Sequence, residues 1–66
     1  MRISLNGEII DSRDAQNVDD LVVHFGLPPE TVLIEHNGVA LHRREWGQIA
    51  LAEGDRLEII RVVAGG

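Results

Sequence analysis

Residues 17–29 read Asn17-Val18-Asp19-Asp20-Leu21-Val22-Val23-His24-Phe25-Gly26-Leu27-Pro28-Pro29, and this stretch holds the chain's one clear helix signal. Asn17 suits an N-cap, because its short side chain can accept a hydrogen bond from an otherwise unpaired N–H of the first turn. Asp19 and Asp20 follow where carboxylates complement the positive end of the helix dipole. Val18, Leu21, Val22 and Phe25 fall at i, i+3, i+4 and i+7, so they form a single apolar stripe. Gly26 terminates the helix, and Pro28-Pro29 prevents its resumption.

On either side the period changes from helical to alternating. Arg2-Ile3-Ser4-Leu5 reads as a half-buried strand. Asn6-Gly7 is a tight-hairpin signal because both residues tolerate positive φ, and Glu8 to Asp11 returns as a second strand. With a two-residue loop Leu5 faces Glu8 and Ile3 faces Ile10, which directs Ile3, Leu5 and Ile10 to one side. Val32 to His36 is a third strand, turned by Asn37-Gly38 into Val39 to Leu41. Ile34 then pairs with Leu41, while Leu33, Glu35 and Ala40 look outward. Arg43 to Leu51 has no single period, but Trp46, Ile49 and Leu51 suggest a short helical turn against the sheet. Glu53-Gly54-Asp55 is a turn, and Arg56 to Val63 is the last strand.

The order hairpin, helix, hairpin, helical turn, strand closes most simply when one helix crosses a mixed sheet and the last strand inserts beside the first. That is the β-grasp arrangement: an α+β fold with four to five strands, one main helix and a short helical turn. Residues 1–66 are expected to form a single domain, with residues 64–66 as a flexible tail. The helix covers one sheet face and leaves the other wet.

A chain of 66 residues buries only about 60% of its unfolded surface, which leaves little core for a side-chain cleft. It has no Cys, so no disulfide or zinc–thiolate staple supports it, and any sulfur it carries cannot ride on a thiol. The formal charge is −5, and all six cationic side chains are scattered Arg. This balance disfavours nucleic acid and anionic membranes and favours a partner with a basic surface. No apolar run reaches the roughly 20 residues of a membrane span, and the Met1-Arg2 start lacks a signal-peptide pattern. The expectation is a soluble cytoplasmic protein.

The ordinary enzyme constellations are missing, so the chain is not expected to be an enzyme. Ser4 and Ser12 are the only serines, with no base placed to activate them. His24, His36 and His42 have no metal-ligand spacing and read as surface or boundary residues. Helix electrostatics accounts for Asp19-Asp20, turns account for Gly7, Gly38 and Gly54, and core packing accounts for Trp46. No cofactor or metal is expected.

Two features remain. On the last strand Leu57 and Ile59 point to the helix, leaving Glu58, Ile60 and Val62 on the open face. An antiparallel third strand places Leu33 near Ile60 and Val62, giving an apolar patch close to the chain end. It reads either as a docking surface or as ordinary scattered exposure. The other feature is the tail, Val63-Ala64-Gly65-Gly66. Three small residues reach about 10 Å, and Gly65-Gly66 can thread a channel too narrow for side chains. The terminal carboxylate is a poor electrophile, but a mixed anhydride with AMP would give it a good leaving group. A persulfide could then attack and leave a thiocarboxylate at Gly66. Taken alone, the dipeptide is equally a frayed end or a cloning remnant.

The segments Asn6-Gly7-Glu8, His24-Phe25-Gly26-Leu27, Asn37-Gly38, Arg44-Glu45-Trp46, Leu51, Gly54-Asp55 and Arg61-Val62-Val63-Ala64-Gly65-Gly66 together resemble the ThiS family. These are thiamine-biosynthesis sulfur carriers of the ubiquitin-like β-grasp superfamily, and the similarity runs along nearly the whole chain. Ala64 stands where some relatives have glycine. The resemblance implies that a ThiF-class activating enzyme docks on the open face and adenylates Gly66, with Gly65 and Ala64 as the reactive tail. Sulfur from a cysteine desulfurase system would convert the adenylate to a thiocarboxylate, and a ThiG-class thiazole synthase would take it for thiazole formation. Ile60 and Val62, with Leu33, are the expected partner interface, and the free protein is expected to be a monomer. A carrier for molybdopterin or another metabolite, or a non-covalent β-grasp interaction module, would present similar features.

Overall fold

The computed structural model describes residues 1–62. Its elements are β1 (Arg2–Leu5), β2 (Glu8–Asp11), α1 (Val18–His24), β3 (Val32–His36), β4 (Val39–Leu41) and β5 (Arg56–Arg61), with 3₁₀ turns at Pro29–Thr31 and Arg43–Glu45. The five strands form one sheet in the order β2-β1-β5-β3-β4. Strand β5 lies at its centre, parallel to β1 and antiparallel to β3. This is the β-grasp order expected from the sequence.

Both hairpins turn on Asn-Gly. The φ angles are 50° and 86° at Asn6 and Gly7, and 50° and 85° at Asn37 and Gly38. Two consecutive positive φ values give a type I′ turn, whose twist matches that of the flanking strands. The registers follow: Ile3 pairs with Ile10, Leu5 with Glu8 and Ile34 with Leu41.

Helix α1 has seven residues, too few to persist alone, so tertiary packing must hold it. Asn17 Oδ1 accepts from the Asp20 N–H at 2.7 Å, and Asp20 Oδ2 accepts from the Gln16 N–H at 3.0 Å. These two bonds satisfy donors at the helix start. Val18, Leu21 and Val22 are buried against Ile3, Val32, Ile34, Trp46, Leu51 and Leu57. Each such side chain contributes roughly 1.5–3 kcal/mol by leaving water.

The apolar stripe ends sooner than its spacing suggests. Phe25 is the C-cap rather than a helical residue, and 43% of it is exposed. The chain turns at Gly26, whose φ is 65°, and this swings Phe25 to the rim. Strand β5 likewise stops at Arg61, short of the expected Val63, although the Val62 N–H still donates to the Thr31 carbonyl at 2.7 Å. Val63 lies outside the described residues. The helical turn at Arg43–Glu45 carries Trp46 as its C-cap, 2% exposed, with the Arg43 guanidinium 5.5 Å from its ring centroid. A further turn at Pro29–Thr31 and an isolated bridge between Asn17 and Ala50 complete the closure over the core.

Candidate functional site

The central strand is fastened at both ends by the hairpin asparagines. Asn6 Oδ1 accepts from the Ile59 N–H at 2.7 Å, and its Nδ2 donates to the Ile59 carbonyl at 3.2 Å. The side-chain amide thus continues the β1–β5 ladder past the point where β1 turns away. At the other end, Asn37 Oδ1 accepts from the Arg56 N–H at 2.8 Å, while the Asn37 N–H donates to the Arg56 carbonyl at 2.8 Å.

Beside Asn37 lies the Asp55 carboxylate, which is buried. It accepts from His36 Nε2 at 2.9 Å, the Ala52 N–H at 2.9 Å and Asn37 Nδ2 at 3.1 Å. Burial alone would raise its pKa. The His36 bond, with those from Ala52 and Asn37, outweighs burial and holds it below 3.8. The sequence shows Asp55 only as a turn residue and His36 only as a boundary histidine. Their pairing depends on β3 lying against β5, which no local pattern records.

The open face carries the expected patch. Leu33 pairs directly with Ile60, and Val62 follows on the same face. Leu33 is 56% exposed, Ile60 46% and Val62 47%. Alternation explains why they share a face: Val32 and Ile34 on β3, and Leu57 on β5, are buried on the helix side, and Ile59 packs against the same core. Ile9 adds a further exposed side chain, opposite Ser4 on this same face. Sequence reading did not single out Ile9, although its alternation with Ile10 carries the signal. On the helix side, Phe25, Leu27, Leu5, Ile59, Asn6 and Arg61 line a shallow groove of about 380 Å³.

The patch ends where the described chain ends. Ala64, Gly65 and Gly66, the expected reactive tail, lie outside the described residues. Among the described residues no group of His, Cys, Asp or Glu is arranged to hold a metal ion. None of the described helices is long and apolar enough to cross a membrane.

The family model of the ThiS family matches residues 3–66. The chain belongs to the ThiS family. The crystal structure of the thiamine biosynthesis protein (ThiS) from Geobacter metallireducens superposes with a TM-score of 0.84 at 28% identity, covering all of both chains. Its solution structure gives 0.80 at the same identity, with all of this chain and 88% of that one covered. The chain is also 32% identical over 66 residues to a thiazole synthase of Magnetococcus marinus, of which it spans 20%. A thiazole synthase of Paramagnetospirillum magneticum is 29% identical over the same length, again with 20% of that protein spanned. The chain therefore corresponds to about a fifth of each of these larger relatives. The ThiS family match and the fold agree in making this a ubiquitin-like β-grasp protein.

Proposed function

We propose that this chain is a sulfur carrier of thiamine biosynthesis, a cosubstrate rather than an enzyme, whose reacting group is the Gly66 carboxylate. The observation that carries the reading is the apolar pair Leu33–Ile60 with Val62, exposed on the open face, with Val62 four residues before Gly66 in the sequence. Membership in the ThiS family supports it, as does the likeness to thiazole synthases.

In this reading a ThiF-class activating enzyme covers the patch and takes the tail into its own ATP site. A carboxylate oxygen of Gly66 attacks the α-phosphorus of ATP, and pyrophosphate leaves. The terminal sulfur of a persulfide, supplied through a cysteine desulfurase, attacks the acyl carbon and displaces AMP. The resulting acyl disulfide is cleaved by a thiol, which is itself oxidised to a disulfide, and the thiocarboxylate remains on Gly66. A ThiG-class thiazole synthase then accepts that sulfur. ATP and its magnesium belong to the activating enzyme.

This chain contributes a docking face and a firmly held root for the tail. Asn6 fixes Ile59, and the Val62–Thr31 bond fixes the last described residue. Anchoring the residue before the tail reduces the ordering cost of docking in this reading. The test is turnover by a ThiF-class enzyme with ATP. Pyrophosphate release that requires this chain supports the proposal, and absence of release refutes it.

A further inference from the structure

The open face holds a feature that sheet stability does not explain. Glu35 and Glu58 stand directly opposite each other in the β3–β5 register, on the same face as Leu33 and Ile60. The Asn37–Arg56 and Val62–Thr31 bonds place residue pairs 37/56 and 31/62 at hydrogen-bonded positions. By alternation 35/58 is another such pair, with Cα atoms about 5.5 Å apart. Like charges directly opposite one another weaken a sheet.

The surroundings do not relieve this opposition. Glu35, Glu58, Arg56 and Gly38 line one small notch of about 50 Å³. Arg56 is the charged neighbour on this face, and among the described residues neither glutamate has a cationic group within 4.0 Å. Next to Glu35 on β4 is Ala40, and beside Arg56 on β1 is Ser4. Neither neighbour brings charge. Two carboxylates thus share one notch with a single guanidinium that pairs with neither.

The notch also adjoins the docking patch. The 33/60 and 35/58 pairs are two residues apart along the strands, about 7 Å. An occupant of the patch therefore also covers the notch, and its chemistry is specified. It must bring apolar side chains over Leu33 and Ile60, and a cation between the two glutamates. A planar guanidinium suits this better than an ammonium, because its several N–H groups can reach two carboxylates at once.

We propose that Glu35 and Glu58 form a charge socket that receives an arginine of the docking partner, and that this socket gives the apolar patch its register and selectivity. The inference rests on the carrier reading above, in which that partner is the activating enzyme. The strain of opposed carboxylates in the free protein is relieved on docking, so the pair favours the complex over the free state.

The experiment compares wild type with Glu35→Gln, Glu58→Gln and the double variant, in melting temperature and as substrates of the ThiF-class enzyme with ATP. Pyrophosphate release is followed against carrier concentration at about 0.05 M and about 0.5 M salt, on either side of strong screening. The double variant should melt about 2–4 °C higher, because the like-charge opposition is gone. Its KM should rise about five- to twentyfold at low salt with kcat unchanged, and its KM should lose most of its salt dependence. A wild type that releases no pyrophosphate would overturn the carrier reading and this inference with it. If wild type turns over while the glutamine variants keep its KM and salt dependence, the inference alone is overturned. A lower melting temperature in both single variants would contradict the like-charge premise.

Discussion

Replacing Asp55 with Asn keeps the shape of the side chain and removes its charge, so it isolates what the buried carboxylate does. In wild type the group accepts from His36, the Ala52 N–H and Asn37 Nδ2. An amide can keep its oxygen toward His36 and Ala52, but its NH₂ then faces the Asn37 donor and that bond is lost. Hydrogen bonds to a charged group contribute about 1.5–3 kcal/mol, against about 0.5–1.5 for neutral pairs. Losing one and weakening two costs roughly 2–4 kcal/mol. A domain of this size has a total stability of about 3–10 kcal/mol. At roughly 4–8 °C per kcal/mol, the melting temperature at about pH 7 should fall by about 10–20 °C.

The Asp55 pKa is depressed on folding, so its contribution is fully present above the unfolded value of 3.8 and is lost as pH falls through the lower folded value. The gap between wild type and variant, measured by far-UV circular dichroism melts, should hold down to about 3.8, narrow as pH falls from there through the lower folded value, and be closed below it. Equal melting temperatures near neutrality would refute the account, and so would a gap that persists undiminished below the folded pKa.

The other predictions concern the central strand, the patch and the tail. Asn6→Ala removes both bonds to Ile59 and leaves, at a φ of 50°, a side chain without the amide that lets Asn tolerate the left-handed region. It should cost about 1.5–3 kcal/mol in urea unfolding. Leu33→Ala with Ile60→Ala truncates two exposed side chains, so the melting temperature should stay within a few degrees while the carrier's KM with the activating enzyme rises about tenfold or more. An alanine added after Gly66 should abolish pyrophosphate release and leave the circular dichroism melt unchanged; full turnover of that extended chain would contradict chemistry at Gly66.

Most of the fold is written in local chemistry. The Asn-Gly pairs dictate type I′ turns, those turns set the register, and the register puts Ile3, Leu5 and Ile10 inside. Alternation on β5 also separates Leu57 and Ile59 from Ile60 and Val62, so the exposed apolar patch is legible once β3 is placed beside β5. What local pattern misses is long-range polar contact. Asn6 reads as a turn residue, yet it bonds a residue 53 positions away. Asp55 reads as a turn and His36 as a boundary residue, yet each is the other's partner across 19 positions. The opposition of Glu35 and Glu58 is hidden in the same way, since each alternates properly on its own strand and the conflict exists only between strands. Phe25 shows the reverse error: its spacing is helical, but Gly26 turns the chain first.

The central claim is that Gly66 carries the chemistry, and intact-mass analysis tests it most directly. The chain is incubated with ATP, magnesium, a ThiF-class enzyme, a cysteine desulfurase with its persulfide donor, and a thiol. The account predicts an AMP adduct without the sulfur donor. With the donor it predicts a mass gain equal to replacement of one oxygen by sulfur, localised to Gly66 by fragmentation. A chain recovered at its original mass under both conditions, with the fold intact and the enzyme active on its own carrier, would contradict it.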